Sequence, residues 1–194
     1  NKISDIPLNT KINKSIFDQT KLLLFRLEYF PSNTGNHIFN NARAIYLSGT
    51  YFNIIALQKL AKIIMKTQID ILITKDGFLR EGSSHYQFLF VRWVLEILFF
   101  AYFNRDREMI NILFPKLYSL IKSCNFFLIK NKFTNIIPLF GDVSPDFDPS
   151  WLIDLNKSKL LISNPKRNKE KSWNNLWSNF STIKKIPNKE KIEK

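Results

Sequence analysis

Apolar residues return every three to four positions in successive runs along most of the first 130 residues, and short polar breaks separate the runs. That period is the signature of amphipathic helices. The first run, Ser15 to Phe30, places Ile16, Leu22, Leu23, Leu24, Phe25, Leu27 and Phe30 on a helical repeat, and Pro31 stops it. Further runs predict helices over Asn36 to Tyr51, Asn53 to Ile73, Ser84 to Asn104 and Asp106 to Lys130, with a sixth near Pro149 to Asn156. Strand signals are weak.

Helices of this length joined by brief connectors stack as antiparallel pairs, so the expected class is all-α, either a bundle or part of a toroid of helical hairpins. Thr134 to Ser150 reads as a long loop with three prolines among its Asp residues, and long ordered loops are often functional. From Asn156 onward the chain turns polar and basic, apart from an apolar cluster of Trp173, Leu176, Trp177 and Phe180. The expected organisation is a helical domain over 1–155 and a basic tail or linker over 156–194.

Composition narrows the class. With 194 residues, 45% of them apolar and eighteen Phe, the chain has material for one domain with a substantial core and is too apolar to be disordered over most of its length. The net charge of +13 suggests a polyanion partner, but residues 156–194 hold eleven Lys or Arg against three acids, whereas the other 155 residues hold eighteen against thirteen. Most of the excess therefore sits in the tail, and nucleic-acid binding is not expected of the helical body.

The lone Cys124 excludes an intramolecular disulfide, and no Cys/His set has zinc spacing, so no metal or other cofactor is expected. Cys124 reads as a packed core thiol. Phe88 to Phe103 is the longest apolar run, but Arg92 and Glu96 interrupt it at a pairing distance of four residues. It reads as a buried helix with no membrane span. No signal peptide is visible, and the chain begins with Asn, which suggests an excerpt of a longer protein.

Candidate chemistry concentrates in two places. Asp76 to Tyr86, between two predicted helices, combines Asp76, Arg80, Glu81, Ser83, Ser84, His85 and Tyr86. Asn36 and His37 open an upstream helix, where an amide, an imidazole and free backbone N–H groups together suit a carboxylate. Tyr86, just inside a helix that Ser83 or Ser84 can cap, offers a phenol for proton transfer. Each also has a plain structural reading, with Tyr86 at a helix edge and Asn36 as an N-cap. Phosphate-loop, hydrolase-triad and calcium-loop templates all fail, the last because Asp142, Asp146 and Asp148 are interrupted by prolines and no twelfth-position Glu follows.

Three segments in order carry a resemblance: Asn36-His37 followed by Asn40, Ala42, Ala44, Gly49 and Tyr51; Asp76-Gly77-Phe78 with Glu81-Gly82-Ser83 and Tyr86; and Phe140-Gly141-Asp142. The region from Asn33 to Leu155 resembles the helical domain of heparinase II/III-like polysaccharide lyases. The resemblance implies an incomplete (α/α) toroid and β-elimination on a uronate-containing polysaccharide. In that reaction Asn36 and His37 neutralise the uronate carboxylate and Tyr86 moves protons, with Arg80, Glu81 and His85 as substrate-binding residues. It further implies an acidic polysaccharide ligand, a periplasmic or extracellular setting and a β-sandwich domain that follows and forms the other wall of the cleft. Without that domain the chain is expected to be inactive. The chain departs from the family in having Gln87 after the tyrosine, where a His is common, and His85 before it. The alternative expectation is a non-catalytic helical module that binds carbohydrate or a protein.

Overall fold

A computed structural model of the chain describes residues 5–29, 35–127, 129–130 and 135–143. The expected sixth helix, the end of the Thr134 to Ser150 loop, the Trp173 to Phe180 cluster and the 156–194 tail lie outside the described residues. Within them the fold is all-α, with helices α1 (Asp5–Phe25), α2 (Asn36–Tyr51), α3 (Ile55–Leu72), α4 (Ser84–Phe103) and α5 (Arg107–Cys124). A 3-10 turn, Asn125–Phe127, and a two-residue antiparallel pair, β1 (Ile129–Lys130) with β2 (Asn135–Ile136), follow.

α2 packs on α3 and α4 on α5 as two antiparallel hairpins, and α2 lies against α4 while α1 covers part of α2. α4 is the central helix, because residues on almost every side of it, including Phe88, Phe90, Val94, Leu95 and Ile97, are buried. A half-exposed stripe through Tyr86, Leu89, Arg92, Glu96 and Phe99 carries its charges, and the apolar character of the other faces is what a largely enclosed helix requires. By length and composition α4 could also cross a membrane, but here it forms the core between the hairpins. Phe39, Ile45 and Tyr46 of α2, Met65 of α3, and Met109, Leu113 and Leu120 of α5 complete that core. Each such side chain contributes about 1.5–3 kcal/mol by leaving water.

Three helix ends differ from the sequence pattern for identifiable reasons. α1 starts ten residues earlier than Ser15, with Pro7 in its first turn where a backbone N–H has no helical acceptor anyway. It ends at Phe25 rather than Phe30, because the Glu28 N–H donates to Asn41 Oδ1 at 2.9 Å and pulls the chain onto α2. α5 ends at Cys124 rather than Lys130, where the 3-10 turn places Phe127 in the core before the chain pairs as β1 and β2. Pro115 lies inside α5 on an exposed stretch, so the helical carbonyl it leaves without an N–H faces water.

Candidate functional site

The connector between α3 and α4 folds back on itself before α4 begins. Ile73 and Leu79 form an antiparallel bridge, the Thr74 N–H donates to the Phe78 carbonyl at 2.8 Å, and the Arg80 N–H donates to the Leu72 carbonyl at 2.9 Å. Gly77 makes this reversal possible. Its φ of 88° lies in the left-handed region, and a Cβ there would stand 2.3 Å from the Ser119 carbonyl of α5.

Gln87 holds this reversal from inside. Its Oε1 accepts from the Leu79 N–H at 2.7 Å, and its Nε2 donates to the Gly77 carbonyl at 3.0 Å and to Ser123 Oγ at 2.9 Å. The Ser123 hydroxyl donates to the same Gly77 carbonyl at 2.6 Å. The position where a His is common in the resembled family is therefore occupied here by a buried amide tied to four groups, since Nε2 also reaches the Leu120 carbonyl at 3.3 Å. Beside it Cys124 is buried, and burial pushes its thiol up to about 12, the Gln87 amide opposing the shift. That thiol is packing material rather than a nucleophile.

The start of α4 is fixed by serines. Ser83 Oγ accepts from the Tyr86 N–H at 3.1 Å as the N-cap and donates to the Asp142 carbonyl at 2.5 Å. The Ser84 backbone N–H donates to the Phe140 carbonyl at 3.2 Å, and Ser84 Oγ accepts from the Phe140 N–H at 3.2 Å. Gly141 seats this contact: its φ is 76°, and a Cβ there would meet the Gly82 carbonyl at 2.7 Å. The Phe140-Gly141-Asp142 segment thus lies along the N-terminal end of α4, 56 residues downstream of Ser84.

The N-terminus of α2 comes to the same place. Gly35, not Asn36, is the N-cap, and no side chain of α2 caps it. Instead the Glu81 carboxylate accepts the Asn36 backbone N–H at 3.1 Å and its Nδ2 at 2.5 Å. A carboxylate at a helix start satisfies a donor that the helix cannot, and the helix dipole favours its charge. Asn36 is buried, and His37 next to it has a side chain 66% exposed. His37 Nδ1 lies 3.3 Å from Glu28 Oε2, which also accepts from Asn41 Nδ2 at 3.3 Å. An ionised carboxylate only accepts, so this contact needs the proton on Nδ1, and Nε2 then donates outward only in the imidazolium form.

Of the residues expected from the sequence, Asn36, Glu81 and the start of α4 with Tyr86 come together, linked directly or through Ser83 and Gly82. Tyr86 is half-buried, and Arg80 is exposed on the connector. His85 is enclosed, 1% exposed, with its ring edge-on to Tyr86 at 5.9 Å between centroids. Its imidazole is therefore inside α4's packing, away from the open face that His37 occupies. Glu28 escaped the sequence reading because it was counted inside the first helix. Pro31 restricts only Phe30, the residue before it, and so does not mark the helix end at Phe25. Among the described residues no group of His, Cys, Asp and Glu side chains is placed to hold a metal ion.

The chain matches no protein-family model, no curated protein and no solved structure.

Proposed function

We propose that this chain forms the helical wall of a polysaccharide lyase of the heparinase II/III type, with α2–α3 and α4–α5 as neighbouring hairpins of an (α/α) toroid. The reading is supported by one observation above the others: three segments spread over more than a hundred residues meet at the N-terminal ends of α2 and α4. They are the three that carry the resemblance.

In this reading the ligand is an acidic, uronate-containing chain, and the reaction is β-elimination. The His37 imidazole and the second N–H of the Asn36 amide hold the uronate carboxylate, which makes its C5 proton more acidic by stabilising the enolate-like intermediate. Tyr86 takes the C5 proton as base and returns it to the leaving glycosidic oxygen as the C4–O bond breaks, so its side chain ends the cycle as it began. Glu81 fixes the Asn36 amide, Arg80 meets the substrate from the connector, and His85 sets the Tyr86 ring from within. A β-sandwich domain supplies the opposite wall.

The test uses this helical wall joined to a β-sandwich domain and a set of uronate polysaccharides. The ultraviolet absorbance of unsaturated uronate ends should rise, and Tyr86→Phe should abolish the rise while leaving polysaccharide binding intact. Full activity in Tyr86→Phe sinks the assignment. The second reading, a non-catalytic carbohydrate- or protein-binding module, is favoured by the carboxylates already lodged on the carboxylate-holding pair, Glu81 on Asn36 and Glu28 on His37. It predicts binding without any unsaturated ends.

A further inference from the structure

Over the C-terminal half of α2, between α1 and the end of α4, the surface sinks into an apolar groove of about 640 Å³. Ile16, Leu22 and Leu23 of α1 line it on one side, Leu47 and Tyr51 of α2 form its floor, and Phe100 of α4 closes the other side. Leu22 is 53% exposed and Tyr51 60%. Thr20 and Ser48 also line the groove, but their hydroxyls donate to the Ile16 and Ala44 carbonyls of their own helices at 2.8 and 2.9 Å. The groove therefore offers apolar contact, and an open apolar groove among helices suits the apolar face of an amphipathic helix.

The same chain carries a segment of matching form. Trp173, Leu176, Trp177 and Phe180, outside the described residues, follow the i, i+3, i+4, i+7 spacing that puts side chains on one helical face, with Ser172 placed to cap it. As a helix the four span about 10 Å, the same length as the α1 wall from Ile16 to Leu23, at 1.5 Å per residue.

Charge and reach agree with spacing. Residues 156–194 hold eleven Lys or Arg, and none of them falls between Ser172 and Ile183. Among the described residues that line the groove Arg26 alone is charged, so it admits this uncharged stretch and opposes the basic ones that flank it. The described chain ends at Val143, just after the Asp142 carbonyl accepts from Ser83 at the N-terminal end of α4. Phe100 lies about 24 Å from there along α4. Residues 144–172 can span several times that distance, at up to about 3.3 Å per residue. Tethering also favours the chain's own groove over that of a second copy, because a linked segment has an effective concentration of order millimolar.

We infer that Trp173 to Phe180 docks as a short amphipathic helix in the α1–α2–α4 groove of its own chain and so fastens α1 to the helical body. The inference is independent of the lyase reading, since it uses no residue of the candidate cleft.

Disulfide mapping in the full 194-residue chain tests it. Ala44→Cys with Leu176→Cys pairs the groove with the centre of the stripe, and Tyr118→Cys with Leu176→Cys pairs the stripe with the exposed face of α5. Ala44 and Tyr118 are exposed, so both double variants should melt close to the parent, and Cys124 is too enclosed to compete. On oxidation with copper phenanthroline at low protein concentration, the groove pair should bridge within one chain about tenfold faster than the α5 pair. Adding Trp173→Ser and Trp177→Ser should bring the groove pair down to the rate of the α5 pair. Equal rates in the two pairs overturn the inference. So does a groove rate that the tryptophan substitutions leave unchanged, or a bridge that forms between two chains instead of within one.

Discussion

The Glu81 carboxylate grips Asn36 twice, at its backbone N–H and at its side-chain amide, across 45 residues of sequence. One side chain thereby closes the start of α2 and fastens the α3–α4 connector to it. Glu81→Gln removes the charge and one acceptor and should destabilise the chain by about 1 kcal/mol, a value kept small because Glu81 is exposed. Urea unfolding of Glu81→Gln, Asn36→Ala and the double variant measures the coupling, and strictly additive losses would show that the pair does not act as a unit.

Gln87 is expected to matter more than any other polar side chain in the core. Gln87→Leu strands the Leu79 N–H and removes a donor from the Gly77 carbonyl, both buried, and should cost about 2–4 kcal/mol. Thermal melting checks this. Gln87→His should recover only part of the loss, because an imidazole cannot span all four partners. A melting temperature for Gln87→Leu equal to the parent's would refute the assigned role.

Two connector glycines with similar backbone should respond differently to alanine. Both Gly77 and Gly82 have positive φ, but a Cβ at Gly82 meets nothing within 4 Å, whereas one at Gly77 strikes the α5 backbone at Ser119. Gly82→Ala should cost about 1 kcal/mol, the conformational penalty alone. Gly77→Ala should cost about 3 kcal/mol or more, because α5 has to move. Equal losses in chemical denaturation would mean that the connector does not press on α5.

The Lys62–Asp106 pair gives the fold a defined pH response. Burial works to raise Asp106, but hydrogen bonds from Lys62, the Met109 N–H and Tyr46 outweigh it, and the carboxyl sits below its ordinary 3.8. A depressed native value stabilises the fold above about pH 4 and is lost as the pH falls through it. Lys62, which burial would lower, is instead raised above 10.5 by Asp106 and Glu108, so its contribution is present below that value and fades in strong alkali. Lys62→Met leaves burial of Asp106 less opposed, and the acid unfolding midpoint followed by circular dichroism should move to higher pH. An unchanged midpoint would mean that the pair contributes nothing to folding.

α2 and α4 were legible almost to the residue, since each is a long apolar repeat with a clear break at both ends. A serine cap on α4 was equally legible, because capping is a local bond between residues three apart, and the structure decides between Ser83 and Ser84 in favour of Ser83. The ends of α1 and α5 were not, because bonds to distant partners set them: Asn41 captures Glu28, and the core takes Phe127. The cap of α2 was misread for the same reason. Asn36 has the chemistry of an N-cap, yet Gly35 holds that position and the missing acceptor arrives from Glu81.

The sequence by itself determined an all-α chain, because hydrophobic period, proline stops and serine caps act within one or two helical turns. It also marked Asn36, His37 and the Asp76 to Tyr86 connector as chemically rich. Only the tertiary structure decided that Asn36 and Glu81 touch, that His37 faces water while His85 is enclosed, and that Gln87 belongs to the core. Those outcomes depend on how the two hairpins stack, and a side chain's partner across 45 residues is set by packing that no local pattern records.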